Sequence, residues 1–124
     1  MYSPTKTEFV RLASKANLIP VTKRVLADFE TPLSAYAKIR GHGESFLFES
    51  VEGGEHIGRY SFLGSNPRAV IVQFGHKVTV LENHRPVEEY EVLHTPAVRS
   101  DRYVRDGLEV VERILRRYQT ISLP

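Results

Sequence analysis

The sequence predicts an α+β fold, a largely antiparallel β-sheet with three short helices. Segments with a helical spacing of apolar residues lie near both ends of the chain, whereas residues 45–92 alternate at the period of strands. Turns rich in Gly, Pro and Asn separate these strand segments, and such turns join antiparallel neighbours. We therefore expect the helices to cover one face of the sheet.

The first helix is predicted close to the N-terminus. Ser3 can cap it, Pro4 suits its first position, and Asn17 can end it. Residues 18–26 are expected to be extended, because they contain several β-branched residues and Pro20 disfavours a helix on either side.

Two further helices have equally clear boundaries. Thr31 and Pro32 predict the start of the second, and Gly41 its end. The third is expected to begin at Asp106, with Glu109 as the partner in a capping box. The spacing predicts that its apolar face comprises Leu108, Val111, Ile114, Leu115 and Tyr118.

Five strands are predicted between these last two helices, at residues 45–51, 59–64, 68–75, 77–83 and 87–92. The last is expected to be an edge strand, because Glu88, Glu89 and Glu91 surround Tyr90 and acidic residues protect sheet edges from aggregation. The sheet is expected to keep one face and an edge uncovered. We therefore expect the natural chain to continue beyond Pro124.

Composition narrows the class of protein. A chain of 124 residues predicts a single domain. It contains no Cys, which excludes disulfides, thiolate catalysis and Cys-ligated zinc. No apolar run approaches the ~20 residues of a membrane span, so we expect a cytoplasmic protein with no membrane partner. The net charge is only +2 and the basic residues are dispersed, which argues against a nucleic-acid partner.

No catalytic constellation is evident. Arg113, Arg116 and Arg117 lie beside Glu109 and Glu112, so we expect ion pairs on an exposed helix face there. The five histidines lack the spacing of metal ligands, and the sequence contains neither a nucleophile elbow nor a phosphate-binding loop. We expect no catalytic residue, no metal site and no cofactor in this chain.

The segment FLFESVEGGEHIGRYSFLG, residues 46–64, predicts a hairpin with a polar tip. Such a hairpin could hold a zwitterion: Glu49 would bind the ammonium, Arg59 the carboxylate, and Phe48 or Tyr60 the apolar body. The alternative is a purely structural hairpin with a cross-strand ion pair, which spacing alone favours.

Two stretches carry a family resemblance, DFETPLSAYAKI (residues 28–39) and FLFESVEGGEHIGRYSFLGSNP (residues 46–67). They resemble the N-terminal region of anthranilate synthase component I, which makes anthranilate from chorismate for tryptophan biosynthesis. The sister enzyme aminodeoxychorismate synthase component I, of the folate pathway, shares the R-Y-S-F element and is the runner-up. A freestanding small-ligand binding module without catalytic activity is the alternative from another class.

The resemblance implies that residues 1–124 form the N-terminal, tryptophan-sensing domain of a lyase. Glu49 and Ser50 would contact L-tryptophan as a feedback inhibitor, with Arg59 as a further candidate. The chorismate-binding catalytic region and its Mg²⁺ would lie in a C-terminal region absent from this chain. A glutamine amidotransferase subunit would be a partner of the parent enzyme.

Overall fold

The computed structural model describes residues 1–49, 60–94 and 100–121, which form three helices and mostly antiparallel sheets, as predicted. Two compact units are present, one of residues 1–25 and 69–124 and one of residues 26–68. No helix in the described ranges is long and apolar enough to span a bilayer. The elements are β1 (Tyr2–Ser3), α1 (Lys6–Ala13), β2 (Thr22–Lys23), α2 (Pro32–Ile39), β3 (Ser45–Glu49), β4 (Ser61–Ser65), β5 (Ala69–Phe74), β6 (Lys77–Glu82), β7 (Arg85–Val92), β8 (Tyr103–Val104) and α3 (Gly107–Leu115).

The first unit contains a four-stranded sheet in the order β5-β6-β7-β8. Consecutive strands from β5 to β7 are antiparallel, joined by two-residue turns in which Gly75, Asn83 and His84 have positive φ. A bulge in β7 near Pro86 shifts its register on β6, and proline is tolerated at such a site because the ladder is already interrupted. The strand β8 is parallel to β7 and was missed by the sequence analysis.

The core of this unit is built almost entirely from valine. The buried residues of the cluster are Val78, Val80, Val92, Val104 and Val110. Four come from β6, β7 and β8, and the fifth comes from α3, which therefore covers one face of the sheet. Because β-branched side chains have few rotamers, a valine cluster loses little side-chain entropy when it packs.

The predicted apolar face of α3 is partly wrong. The helix begins after Asp106, as predicted, but Val110 and Ile114 are the residues packed in the core, whereas Leu108 and Leu115 are 76% and 62% exposed. The buried pair and the exposed pair each recur at helical spacing, so the periodicity of the sequence does not show which pair faces the sheet.

The predicted start of α1 is also wrong. The helix begins at Lys6, because Thr5 and Glu8 form a capping box: the Glu8 amide donates to Thr5 Oγ1 at 3.4 Å, and the Thr5 amide donates to a Glu8 carboxylate oxygen at 2.9 Å. Ser3 instead belongs to β1, which pairs with β2. Of the stretch predicted to be extended, residues 18–26, only Thr22–Lys23 forms a strand.

Asn17 lies beyond the end of α1 and joins the two ends of the first unit. Its side-chain amide donates to the Arg117 carbonyl at 2.8 Å, and its side-chain oxygen accepts from the Gln119 amide at 2.5 Å. Leu18 and Thr120 then form a parallel bridge. Asn17, which is predicted to end the first helix, therefore holds the backbone that follows α3 in place.

The second unit consists of α2 and the antiparallel pair β3–β4. Thr31 caps α2 and Gly41 has a φ of +59° just beyond its end, so both predicted boundaries are confirmed. The predicted strand 45–51 is observed as Ser45–Glu49, its last two residues lying outside the described ranges. Strand alternation places Ser45 and Leu47 on the face next to α2, where Tyr36 Oη lies 2.8 Å from Ser45 Oγ.

The opposite face of the hairpin is aromatic. Phe48 lies directly across from Phe62, and the rings of Phe46 and Phe48 have centroids 5.2 Å apart. Phe46 is paired with Gly64, and its ring lies where a side chain at Gly64 would project: a Cβ there would be 2.6 Å from the nearest ring carbon. The glycine of the R-Y-S-F-L-G motif thus makes room for this ring.

We predict that Gly64→Ala will lower the free energy of unfolding by about 1 kcal/mol, the low end of the usual cost of overpacking, because the Phe46 ring must move. Urea unfolding followed by circular dichroism gives the change, and the NMR shifts of the Phe46 ring report the movement. Gly43→Ala is the matched control, since nothing lies within 4 Å of a Cβ at that position. Equal effects of the two substitutions would contradict the prediction.

Candidate functional site

Glu49, the central residue of the predicted zwitterion site, is the last residue of β3 and lies opposite Ser61 of β4. Its side chain is exposed and has no hydrogen bond or ion pair to another described residue. The other glutamates of the described strands, Glu82, Glu88, Glu89 and Glu91, each have a partner. Ser50 and Arg59 lie outside the described residues.

The structure separates two members of the predicted site. Alternation along β3 puts Glu49 on the face that carries Leu47 and packs against α2, whereas Phe48 points to the aromatic face. Glu49 and Phe48 therefore lie on opposite faces of β3. Tyr60, the other predicted apolar contact, precedes β4 and is 69% exposed. The half-buried Leu47 is the apolar neighbour of Glu49 that the sequence analysis did not single out.

The acidic segment of β7 is not an edge strand along its whole length, contrary to the prediction, because Glu91 and Val92 pair with β8. Each acid has a basic partner: Glu89 contacts Lys77 Nζ at 2.8 Å, and Glu91 contacts Arg102 Nη2 at 3.0 Å. Together with the contact of Glu88 with Arg117, these pairs give each acid of the segment a cation.

Glu88 makes the most elaborate of these contacts. Its two carboxylate oxygens accept from Arg117 Nη1 and Nη2 at 2.7 and 3.0 Å, and Tyr90 Oη donates to the same carboxylate. The Arg117 guanidinium, followed by the Tyr90 hydroxyl, holds the pKa of Glu88 below its ordinary value. The bidentate contact joins β7 to the end of α3.

Arg117 therefore does not form the ion pair along the exposed helix face that the sequence predicts, but pairs with a residue of β7. The expected pairs are present for its neighbours, since Arg113 contacts Glu109 at 2.8 Å and Arg116 contacts Glu112 at 2.5 Å. The partner of Arg117 lies 29 residues away in sequence. No local spacing rule connects residues so far apart.

Glu109, in the first turn of α3, pairs with the basic side chains of Arg105 and Arg113. Only half of the predicted capping box forms: Asp106 Oδ1 accepts from the Glu109 amide at 2.9 Å, but the Glu109 carboxylate accepts from the Arg105 amide at 2.8 Å. The Arg105 amide and then the Arg113 guanidinium lower the pKa of Glu109 from 4.5 to about 2. The charged form is therefore strongly favoured in the folded state.

A surface pocket of about 350 Å³ lies on the face of the sheet opposite α3. It is lined by Phe74, His76, Lys77, Glu89, Tyr90, Glu91 and Arg102. His76 lies edge-on to His94, with ring centroids 5.7 Å apart. Within the described ranges, no three His, Asp or Glu side chains are grouped so as to hold a metal ion.

Taken together, the described residues form an α+β chain whose hairpin exposes an unpaired carboxylate, a group suited to binding a ligand's ammonium.

The chain is 38% identical over 120 residues to anthranilate synthase component 1 of Pseudomonas putida, covering 96% of this chain and 22% of that protein. It is 33% identical over 124 residues to the protein of the same name from Acetivibrio thermocellus, covering 100% of this chain and 22% of the relative. With the Synechocystis protein of that name it shares 49% identity over 85 residues, covering 67% of this chain and 17% of the relative.

These matches confirm the resemblance seen in the motifs: the chain is a relative of anthranilate synthase component 1. It spans only 22% of the length of the first two relatives. No protein-family model matches the chain, and no solved structure matches it significantly.

We predict that Glu109→Gln will destabilise the protein at neutral pH and that its effect will disappear in acid. Because the folded-state pKa lies near 2, below the ordinary value of 4.5, the charged carboxylate contributes stability above about pH 4.5. That contribution is lost as the pH falls from 4.5 through 2. Urea unfolding of wild type and variant across this range measures the difference.

Glu112→Gln is the control for this prediction. Glu112 forms the same kind of i,i+4 pair on the same helix, but both partners are more than half exposed, so we expect a small effect at every pH. A Glu109→Gln deficit that persists undiminished at pH 3 would contradict the assignment.

Proposed function

We propose that this chain is the N-terminal, tryptophan-sensing part of an anthranilate synthase component I, an enzyme that converts chorismate to anthranilate in tryptophan biosynthesis in the cytoplasm. The observation that carries the proposal is Glu49, a strand carboxylate without a partner among the described residues, in a chain related to anthranilate synthase component 1. The shared name of the relatives favours this function over aminodeoxychorismate synthase.

The proposed ligand is L-tryptophan in its zwitterionic form. Glu49 binds the ammonium group, Ser50 contacts the amino acid moiety, and Arg59 pairs with the carboxylate. The face that Glu49 shares with Leu47 supports an apolar contact on that side of the hairpin rather than at Phe48. The opposite charges of Glu49 and Arg59 would orient the ligand between its ammonium and carboxylate groups.

Catalysis in this proposal belongs to the part of the parent enzyme outside this chain. That part binds chorismate and Mg²⁺ and works with a glutamine amidotransferase subunit. The matched relatives support this division, since they extend well beyond the stretch that this chain covers. Tryptophan inhibits by binding more tightly to one arrangement of the hairpin against the catalytic region than to the other.

We predict that Glu49→Gln in the full-length parent enzyme will raise the tryptophan concentration needed for half-inhibition at least tenfold, because it removes the charge that pairs with the ammonium. A tenfold change corresponds to about 1.4 kcal/mol, in the range of a charge-assisted hydrogen bond. Steady-state rates over a series of tryptophan concentrations provide the measurement, and calorimetric titration checks binding directly.

Glu44→Gln is the matched control, because Glu44 is an exposed carboxylate that precedes β3 and has no assigned role here. Tryptophan should inhibit the Glu44→Gln enzyme as strongly as it inhibits the wild-type enzyme. Unchanged inhibition of the Glu49→Gln enzyme would refute the assignment of this residue, and an enzyme insensitive to tryptophan before any substitution would refute the proposed function itself.

A further inference from the structure

The two edges of the four-stranded sheet are built differently. The edge formed by β7 and β8 has Pro86 at a bulge and the acidic residues Glu88 and Glu89, and β8 is only two residues long. Charge, proline, bulges and very short strands keep a sheet edge from pairing with another strand. At the other edge β5, Ala69–Phe74, has none of these features, because its six residues are uncharged, lack proline and pair with β6 in an unbroken register. The β5 edge is therefore the one suited to accept a further strand.

The backbone groups that β5 presents at this edge belong to alternate residues. Phe74 and Lys77 flank the two-residue turn between β5 and β6 and face each other, so they exchange both backbone hydrogen bonds. Because such pairs alternate along an antiparallel ladder, Val72 also bonds to β6, whereas the amides and carbonyls of Ile71 and Gln73 point away from it. In the described part of the chain no strand lies on that side of β5.

The side chains beside this edge are apolar on the face without α3. Ile71 packs against the valine core and Gln73 accepts from the Gly107 amide at 2.7 Å, so these two side chains lie on the α3 side. Alternation sends Val72 and Phe74 to the opposite face, where they are 44% and 88% exposed. A strand added at this edge would cover them if it carried apolar residues on the same face.

We propose that a strand from the part of the parent enzyme outside this chain pairs with β5 and extends the sheet. The relatives are long enough to supply it, since this chain covers only 22% of the first two. A strand of the same polypeptide is linked to every β5 edge and is present there at a high effective concentration. A second copy or a separate subunit would instead leave the unprotected edge exposed until assembly, with the risk of aggregation that the other edge of the sheet avoids.

Hydrogen exchange of the full-length parent enzyme tests whether this edge is paired. The Ile71 and Gln73 amides should exchange at least about 100-fold more slowly than in an unstructured peptide, because hydrogen bonds inside a sheet open rarely. The amides of Val72 and Phe74, which bond to β6, are the internal control. Fast exchange of Ile71 and Gln73 beside protected control amides would overturn the proposal.

Two substitutions at Gln73 provide an independent test in the full-length parent enzyme. Gln73→Pro and the matched control Gln73→Ala both remove the side-chain contacts with Gly107 and Gly75, but only proline removes the backbone amide. Proline is tolerated at an edge whose amide faces solvent, whereas it removes a hydrogen bond from a paired strand. We therefore expect Gln73→Pro to lower the midpoint of thermal unfolding by several degrees more than Gln73→Ala does. Equal midpoints would contradict the pairing.

Photo-cross-linking of the full-length parent enzyme identifies what pairs with β5. Replacement of Phe74 by p-benzoylphenylalanine puts a photoreactive ketone beside the edge. After irradiation and digestion, the cross-linked peptide should come from the same polypeptide, outside residues 1–124. Cross-links confined to residues 1–124, or joining a second copy or a glutamine amidotransferase subunit, would overturn the proposal. None of these measurements uses tryptophan or chorismate, so they can succeed or fail independently of the proposed function.

Discussion

The contact between Val110 of α3 and the sheet is the one on which the larger unit depends. Val110 and Val78 are both fully buried, and Val104 of the two-residue strand β8 completes the same cluster. A strand of two residues cannot hold itself in place by its own ladder. Arg113 of α3 secures its surroundings by donating to the carbonyls of Asp101 and Tyr103 at 2.8 and 3.0 Å. The helix and the short strand must therefore be in place together.

Much of this fold could be predicted because local chemistry determines it. Thr31 and Asp106 cap their helices and Gly41 ends one with a positive φ, since each effect involves only neighbouring residues. The start of α1 was missed although Thr5 and Glu8 display a capping-box spacing, because Pro4 supplied a competing signal. The buried face of α3 depends on which side of the helix meets the sheet, and β8 depends on pairing with residues distant in sequence. A local sequence pattern contains neither kind of information.

The candidate site shows the same division. The sequence predicts a polar end for the hairpin strand because Glu49 follows an apolar run, and Glu49 ends β3 with an exposed side chain. Proximity in sequence suggests Phe48 or Tyr60 as the apolar contact, whereas the pleat places Leu47 on the same face as Glu49. The bidentate contact of Arg117 with Glu88 could not be predicted from the sequence, for a different reason. It spans 29 residues, so only the packed arrangement of strand and helix brings the two groups together.

The pairing of Asn17 with the residues that follow α3 has a consequence for biosynthesis. The contacts of Asn17 with Arg117 and Gln119 join residues 100 and 102 positions apart. A ribosome adding ~5–20 residues per second produces these partners about 5–20 s apart. During that delay the N-terminal segment has only its own capping box and short strand pair to order it. The contiguous residues 26–68 can fold as they emerge, whereas the first unit closes only once residues 117–119 have been made.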